Sequence, residues 1–235
     1  MAVSVDIKAL LEAGVHFGHK TSRWHPKMAK YIHSKRQDSH IIDLTKTVEG
    51  LEAVLPVITK VAAGGKQVLF VGTKKQAKDI VKAAAEQVNQ PYVTERWIGG
   101  MLTNVATVTA QIKKLKDLER RMATGDLEKR YNKLEVQRFQ EEIDELNLKY
   151  GGIKDLNGKP GIVIVLDVIA DANAVREAKK IGIPVVGLVD TNADPDMVDY
   201  VIPANDDAIK GLQLLLDYFS AAVAEGAGAV KKEEK

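Results

Sequence analysis

The sequence contains no cysteine. This absence excludes disulfide bonds, catalysis by a thiolate and zinc sites built from cysteine ligands. It also suits a reducing cytoplasm, which is where we expect the protein to act. No run of about 18 apolar residues occurs, so we expect no contact with a membrane. The first residues lack the charged and apolar regions of a secretory signal, and we expect no such signal.

Acidic residues are absent from one long stretch near the N-terminus. Between Glu12 and Asp38 there is no aspartate or glutamate, and the interval contains six basic residues: Lys20, Arg23, Lys27, Lys30, Lys35 and Arg36. The net charge of the whole chain is only +2, so positive charge is concentrated at one end. This asymmetry favours a polyanionic partner at that end, although a charged run can also be ordinary solvated surface.

Four apolar runs rich in β-branched residues alternate with stretches of helical periodicity. They are Gln67–Gly72, Gly161–Asp167, Ile183–Asp190 and Tyr200–Asn205. Continuous apolar strands separated by helices are typical of a parallel α/β sheet that is buried on both faces. The segment His40–Leu44, which precedes a helix, predicts one further unit of this sheet.

Residues 104–150 have a different pattern, with apolar residues at spacings of three and four and charged residues between them. This periodicity predicts two amphipathic helices in a coiled-coil hairpin that turns at Gly125, with Asp126 as an N-cap. We therefore place an α/β domain at 1–103 and 151–225, an inserted hairpin at 104–150 and a disordered tail at 226–235. The hairpin could also serve as a protein–protein adaptor.

All five histidines lie near the cationic stretch, at His16, His19, His25, His33 and His40. Zinc requires about four ligands in a fixed geometry. The neighbouring cations would repel a divalent ion, so we favour no metal and no cofactor.

A phosphate-binding enzyme is the main alternative function. Lys74 and Lys75 follow a predicted strand and could meet a phosphate at a helix N-terminus, and Asp190 begins an acidic stretch that could hold Mg²⁺. However, the glycine spacings of dinucleotide and nucleoside triphosphate cradles are missing. The acidic stretch, DTNADPD, is also typical turn chemistry. We therefore expect a protein without enzymatic activity.

A nucleic-acid interface accounts for more of the cationic stretch. Lysine, arginine and histidine donate hydrogen bonds to phosphates, and Trp24 and Tyr31 offer faces on which unpaired bases can stack. Arg23 and Trp24 are adjacent in the sequence, and the same pair of residues recurs at Arg96 and Trp97. The alternative for both tryptophans is that they anchor the hydrophobic core.

Several separated motifs occur together in this order: GVHFGHKTSRWHPKMAKYI, FVGTKKQA, RWIGGMLTN, GGIKD, IPVVGLVDTNADP and VIPANDDAI. From about Leu10 to Phe219, the chain resembles the bacterial small-subunit ribosomal protein S2 family. The resemblance implies a three-layer α/β fold with a flavodoxin-like parallel sheet and an inserted coiled-coil hairpin. It also implies a structural constituent of the small ribosomal subunit that binds ribosomal RNA and helps to recruit ribosomal protein S1. No small-molecule substrate is implied.

The resemblance extends RNA binding to positions beyond the cationic stretch. The residues expected to contact RNA are Lys20, Arg23, Trp24, His25, Lys27, Lys30, Lys35, Arg36, Lys74, Lys75, Arg96, Lys113 and Lys114. The segment VLDVIADANAVREA departs from the family pattern because it lacks an expected acidic or histidine-bearing stretch. The basic C-terminal extension of some members is reduced here to KKEEK.

Overall fold

A small antiparallel sheet forms the N-terminal part of the protein. The computed structural model describes residues 5–233, and side chains for residues 5–228. Helix α1 (Ile7–Glu12) is followed by strands β1 (Phe17–Lys20), β2 (Ile32–Arg36) and β3 (Ser39–Ile42), in the order β1-β3-β2. Two short 3-10 helices, Thr21–Arg23 and Pro26–Tyr31, connect β1 to β2.

The prediction that His40–Leu44 extends the parallel sheet is wrong. This segment lies largely in β3, which pairs with β2 in antiparallel fashion. The two strands are joined at Gln37 and Asp38, which have φ angles of 46° and 61°. Positive φ at two successive turn residues is typical of tight hairpins, so local turn geometry directs β3 back onto β2.

Helix α2 (Leu44–Ala63) leads into a five-stranded parallel sheet. Its strands are β4 (Val68–Val71), β5 (Tyr92–Val93), β6 (Ile162–Val165), β7 (Val185–Val189) and β8 (Tyr200–Pro203). The spatial order is β5-β4-β6-β7-β8, which becomes 2-1-3-4-5 when the strands are counted within this sheet. That is the flavodoxin-like order. The four predicted apolar runs are confirmed as strands, whereas the two-residue β5 gave no periodic signal.

Helix α3 (Lys78–Gln87) lies between β4 and β5 in the chain. Three further helices follow β5. They are α4 (Val105–Ala123), α5 (Asp126–Arg130) and α6 (Lys133–Tyr150). The buried residues of α4 and α6, among them Leu115 and Ile143, join the same apolar core as the sheet. The coiled-coil geometry of these helices and the division of the chain into a separate hairpin domain stay predictions.

The chain turns at Gly125, as predicted, but the second arm begins differently. Gly125 has a φ of +69° and is itself the N-cap of α5, so Asp126 is the first helical residue and not the cap. The arm is then interrupted at Asn132. The Asn132 side chain accepts a hydrogen bond from the backbone of Glu135, whose carboxylate accepts one from the Asn132 backbone. This capping box starts α6 as a new helix.

Helices cover both faces of the parallel sheet. Two of them are introduced here, α7 (Ala172–Lys180) and α8 (Ile209–Glu233). Val68 and Phe70 of β4 face a core shared with α2, α3 and α8. Leu69 and Val71 face a second core shared with α7, α4 and α6. Alternate residues of one strand thus enter opposite cores, which explains the continuous apolar runs.

In the structure, residues 226–233 of the predicted tail belong to α8, which continues to Glu233. The reason is close packing on α2. A Cβ atom at Gly226 would lie 2.3 Å from the carbonyl oxygen of Thr59, so α8 approaches the α2 backbone directly. Residues 234–235 of the predicted tail lie outside the described residues. Within residues 5–233, no helix has the length and apolar composition needed to cross a bilayer.

Candidate nucleic-acid interface

The small sheet covers the edge of the parallel sheet at which β7 and β8 end. The backbone N–H of His19 donates to Oγ1 of Thr191 at 2.9 Å, and that of His25 donates to the Thr191 carbonyl at 2.7 Å. The backbone N–H of Asn205 donates to the Val15 carbonyl at 3.0 Å. Ligands of flavodoxin-like folds bind at this edge. Here the protein's own N-terminal segment occupies it.

A buried carboxylate lies beneath the small sheet. Asp190 is 1% exposed, and one of its oxygens is 3.1 Å from Nδ1 of His19. The hydrogen bond to Asp190 raises the pKa of His19, although the partial burial of the imidazole opposes that rise. The backbone N–H of Asp206 also donates to Asp190, at 3.3 Å. Asp190 therefore joins the two sheets.

Lys74 is surrounded by the protein's own acids. Its Nζ atom lies 2.6 Å from Asp207, 2.9 Å from Asp206 and 3.5 Å from Asp167. Burial would lower the pKa of Lys74, but the hydrogen bonds to Asp207 and Asp206 raise it. Because Lys74 is already neutralised, it is poorly suited to bind a phosphate. Lys74 and Asp190, the proposed phosphate and metal ligands of the alternative enzyme, instead make internal contacts that hold the fold together.

The same cluster contains the one group of potential metal ligands found among the described residues. Single ligand atoms of His19, Asp206 and Asp207 lie within 4.8 Å of one another. The ammonium group of Lys74 contacts both aspartates, so a positive charge is already present there. Of the five histidines, His19 alone belongs to this group.

Five cations of the N-terminal stretch are exposed on the small sheet and its connections, namely Lys20, Arg23, Lys30, Lys35 and Arg36. Lys35 is 3.8 Å from Asp38. The other four form no ion pair with any acid whose side chain the structure describes. They are available to an external anion, although the Nζ atom of Lys30 also lies 5.0 Å from the ring centroid of Tyr31.

Lys27 differs from these five. Its Nζ atom lies 2.9 Å from Asp194 and 2.7 Å from Asp196. The two carboxylates follow β7 in the acidic stretch that could have held Mg²⁺. Lys27 and the two aspartates of the acidic turn thus neutralise each other and help to attach the small sheet to the parallel sheet.

The two tryptophans have different environments. Trp97 is 6% exposed and belongs to the apolar core, as its alternative role predicted. Trp24 is 40% exposed, and its ring centroid is 5.3 Å from that of His40. Of the two tryptophans, only Trp24 can therefore offer a face to a base. His25 is partly buried, and its Nδ1 accepts a hydrogen bond from the Lys27 backbone at 3.3 Å.

The remaining predicted residues lie on other elements. Lys75 precedes α3, Arg96 follows β5 and Lys113 is on α4, and all three are exposed. None of them forms an ion pair with an acid whose side chain is described. Lys114 pairs with Glu142 across the two long helices.

Sequence reasoning missed the role of Glu177 on α7. Its carboxylate accepts hydrogen bonds from Nε1 of Trp97 at 3.1 Å and from the backbone N–H groups of Gly100 and Leu102 at 2.7 and 3.0 Å. Burial would raise the pKa of Glu177, but these bonds lower it. The carboxylate thereby fixes the loop between Arg96 and α4. A single glutamate in a charged helix gives no sequence signal for this role.

The fold and its surface define an α/β protein with a flavodoxin-like sheet, whose usual ligand edge is covered by an attached cationic sheet. Residues 10–226 match the family model described as Ribosomal protein S2, and the chain belongs to this family. The family is structural and not enzymatic.

The chain is similar to curated relatives over nearly its whole length. It is 49% identical to the small ribosomal subunit protein uS2 of Chloroflexus aggregans over 222 residues, which cover 94% of this chain and 93% of the relative. It is 46% identical to the small ribosomal subunit protein uS2 of Thermus thermophilus over 230 residues, which cover 98% of this chain and 90% of the relative.

Proposed function

We propose that this protein is a structural constituent of the small ribosomal subunit that supports translation by binding ribosomal RNA through its small sheet. The observation that carries the proposal is the group of exposed cations there that lack an internal acid partner. Four such residues lie within 17 positions of the chain, at Lys20, Arg23, Lys30 and Arg36. The names of the relatives support a ribosomal role. Its place of action is the ribosome in the cytoplasm.

Phosphate contacts supply most of the affinity in this proposal. A cation without an internal partner can replace condensed counterions on the RNA, and their release into solution drives binding. Lys27, Lys74 and Lys114 are already paired with acids, so we assign them smaller contributions than the sequence suggested. Trp24 adds a stacking surface for an unpaired base.

Lys75, Arg96 and Lys113 form a second group of proposed contacts. Their exposure and lack of internal acid partners support this role. They extend the proposed interface from the small sheet towards the loop before α4 and the first long helix.

The protein also helps to recruit ribosomal protein S1 and contacts neighbouring proteins of the small subunit. Two leucines on α6, Leu134 and Leu148, are each 60% exposed, and we propose α6 as the surface for these protein contacts. Replacing Leu134 and Leu148 with glutamate, which leaves the apolar core intact, and measuring S1 retention and RNA affinity separately would test whether α6 carries recruitment.

The RNA proposal is tested by titrating binding to small-subunit ribosomal RNA against salt. If about six phosphates are engaged, the logarithm of affinity should fall with the logarithm of salt concentration at a slope of roughly −4 to −5. Filter binding measures this slope. A slope near zero would overturn the phosphate account.

A further inference from the structure

We propose that Thr191 is a positioning residue that holds both ends of the cationic loop 20–24. Thr191 is fully buried, at 0% exposure. Its Oγ1 accepts from the N–H of His19 and its carbonyl accepts from the N–H of His25. The loop between these two residues contains Lys20, Arg23 and Trp24. This inference rests on the RNA-binding function proposed above.

The Thr191 hydroxyl has a defined orientation. It donates to Oδ1 of Asp190 at 3.1 Å, and the same oxygen accepts from the Thr191 backbone N–H at 2.5 Å. Asp190 is itself 1% exposed. A hydroxyl can donate to Asp190 and accept from His19 at the same time, whereas a methyl group can do neither. Serine retains this function and valine loses it.

The contact is also tight in shape. A Cβ atom at Gly18 would lie 2.6 Å from Cγ2 of Thr191 and 3.1 Å from the His40 carbonyl. Strand β1 therefore packs directly on Thr191. On its far side, the loop is held by the Thr21 N–H, which donates to the Asp38 carbonyl at 2.8 Å. The cationic side chains project from a loop fixed at three points.

Thr191 is neutral and buried, so it offers no charge or stacking face to RNA. Its hydroxyl can therefore affect RNA affinity only indirectly, through the loop or through the stability of the fold. Fixing a loop in its bound geometry raises affinity, because the loop then loses less conformational entropy when it binds. The acidic-turn stretch DTNADPD thus has a role beyond forming a turn.

The test compares Thr191→Val with Thr191→Ser in filter binding to small-subunit ribosomal RNA. For Thr191→Val we expect a loss of about tenfold in affinity, equivalent to about 1.4 kcal/mol. For Thr191→Ser we expect affinity within about twofold of the parent. Hydrogen exchange of the His19 amide should be faster in the valine variant alone. If Thr191→Val does not fold, Thr191→Ala replaces it, because the space left can admit water to the His19 amide.

Testing Thr191→Val in a second variant of the protein separates an effect on loop position from an effect on the stability of the whole fold. In a Lys20→Gln/Arg23→Gln/Trp24→Ala protein the loop has lost its charges and its stacking face, so Thr191→Val should change the remaining affinity by less than about twofold. Equal losses in both backgrounds would overturn the positioning role, as would parent-like affinity of the valine or alanine variant. Failure of the proposed function is a different result, because the unmodified protein would then lack salt-dependent RNA binding altogether.

Discussion

The Lys74 ammonium group lies 2.9 Å from the carboxylate of Asp206, beneath the small sheet. Asp206 is 4% exposed, and Asp190 and Asp167 are close to it. Burial, together with the charges of these two aspartates, raises the pKa of Asp206 to about 7, although Lys74 opposes the rise. The joint between the two sheets therefore contains a carboxyl group that titrates near neutral pH.

The first prediction concerns the pH dependence of stability. The pKa of Asp206 is higher in the folded state than its ordinary value of 3.8, so the folded state binds this proton more tightly. Its stabilising effect is full below about pH 3.8 and is lost as the pH rises through about 7. The raised pKa of His19 acts in the same direction above pH 6.5. We expect the free energy of unfolding to fall between about pH 5 and pH 8.

Urea denaturation at a series of pH values measures this slope. Asp206→Asn removes the titrating group and should flatten the dependence of the free energy of unfolding on pH. Asp79→Asn, at an exposed position, should leave that dependence unchanged. An Asp206→Asn protein with the parent's slope would contradict the assignment.

The second prediction concerns Glu177, whose carboxylate holds the loop before α4. Glu177→Gln removes a charged acceptor and should lower the free energy of unfolding by about 1.5–3 kcal/mol, the range for hydrogen bonds to charged groups. Because the pKa of Glu177 is lowered in the folded protein, its contribution is present above about pH 4.5 and is lost as the pH falls through the lowered value. Urea denaturation at pH 7 and pH 3 measures both effects.

A matched control for Glu177 is available on α2. Glu52 is exposed, and Glu52→Gln should change the free energy of unfolding by less than about 0.5 kcal/mol, as is usual for surface substitutions. Equal effects of the two substitutions would show that the hydrogen bonds of Glu177 contribute nothing measurable.

The third prediction uses two glycines of α8. A Cβ atom at Gly226 would meet the backbone of Thr59 and Ala63 at 2.3 and 3.0 Å, whereas one at Gly228 would meet nothing within 4 Å. Gly226→Ala should therefore destabilise the protein by about 1–3 kcal/mol through overpacking. Gly228→Ala should stabilise it by about 0.5–1 kcal/mol, because alanine loses less entropy in a helix. Thermal unfolding would measure both, and equal shifts would contradict the packing of α8 on α2.

The fourth prediction separates free from paired cations in the proposed RNA interface. Lys20→Gln should reduce the magnitude of the salt slope by about 1, the value expected for one phosphate contact. Lys27→Gln should reduce it by less than half as much, because Asp194 and Asp196 already neutralise Lys27. Filter binding at several salt concentrations provides both slopes. A larger effect for Lys27 would show that RNA displaces its internal partners.

The apolar runs predicted four of the five strands of the parallel sheet, because strands buried on both faces must be apolar along their length. The same reasoning failed for β3. Its sequence, SHII, is equally suited to either sheet, and only the positive φ angles at Gln37 and Asp38 direct it into the hairpin. The helical conformation at Gly226 was not predicted, for a related reason. Gly226 weakens a helix considered alone, yet in the folded protein it permits close contact with α2.

The sequence alone determined where the positive charge lies, because charge density along a short segment survives any folding of that segment. Tertiary structure decided which of those charges remain free. Lys27 and Lys74 meet aspartates more than 100 residues away in the chain, and such pairs arise only when the strand ends converge. Tertiary structure likewise brought Thr191 and Glu177 against the loops that they contact, since a buried hydrogen-bond partner is defined by its distance in space and not by its distance along the chain.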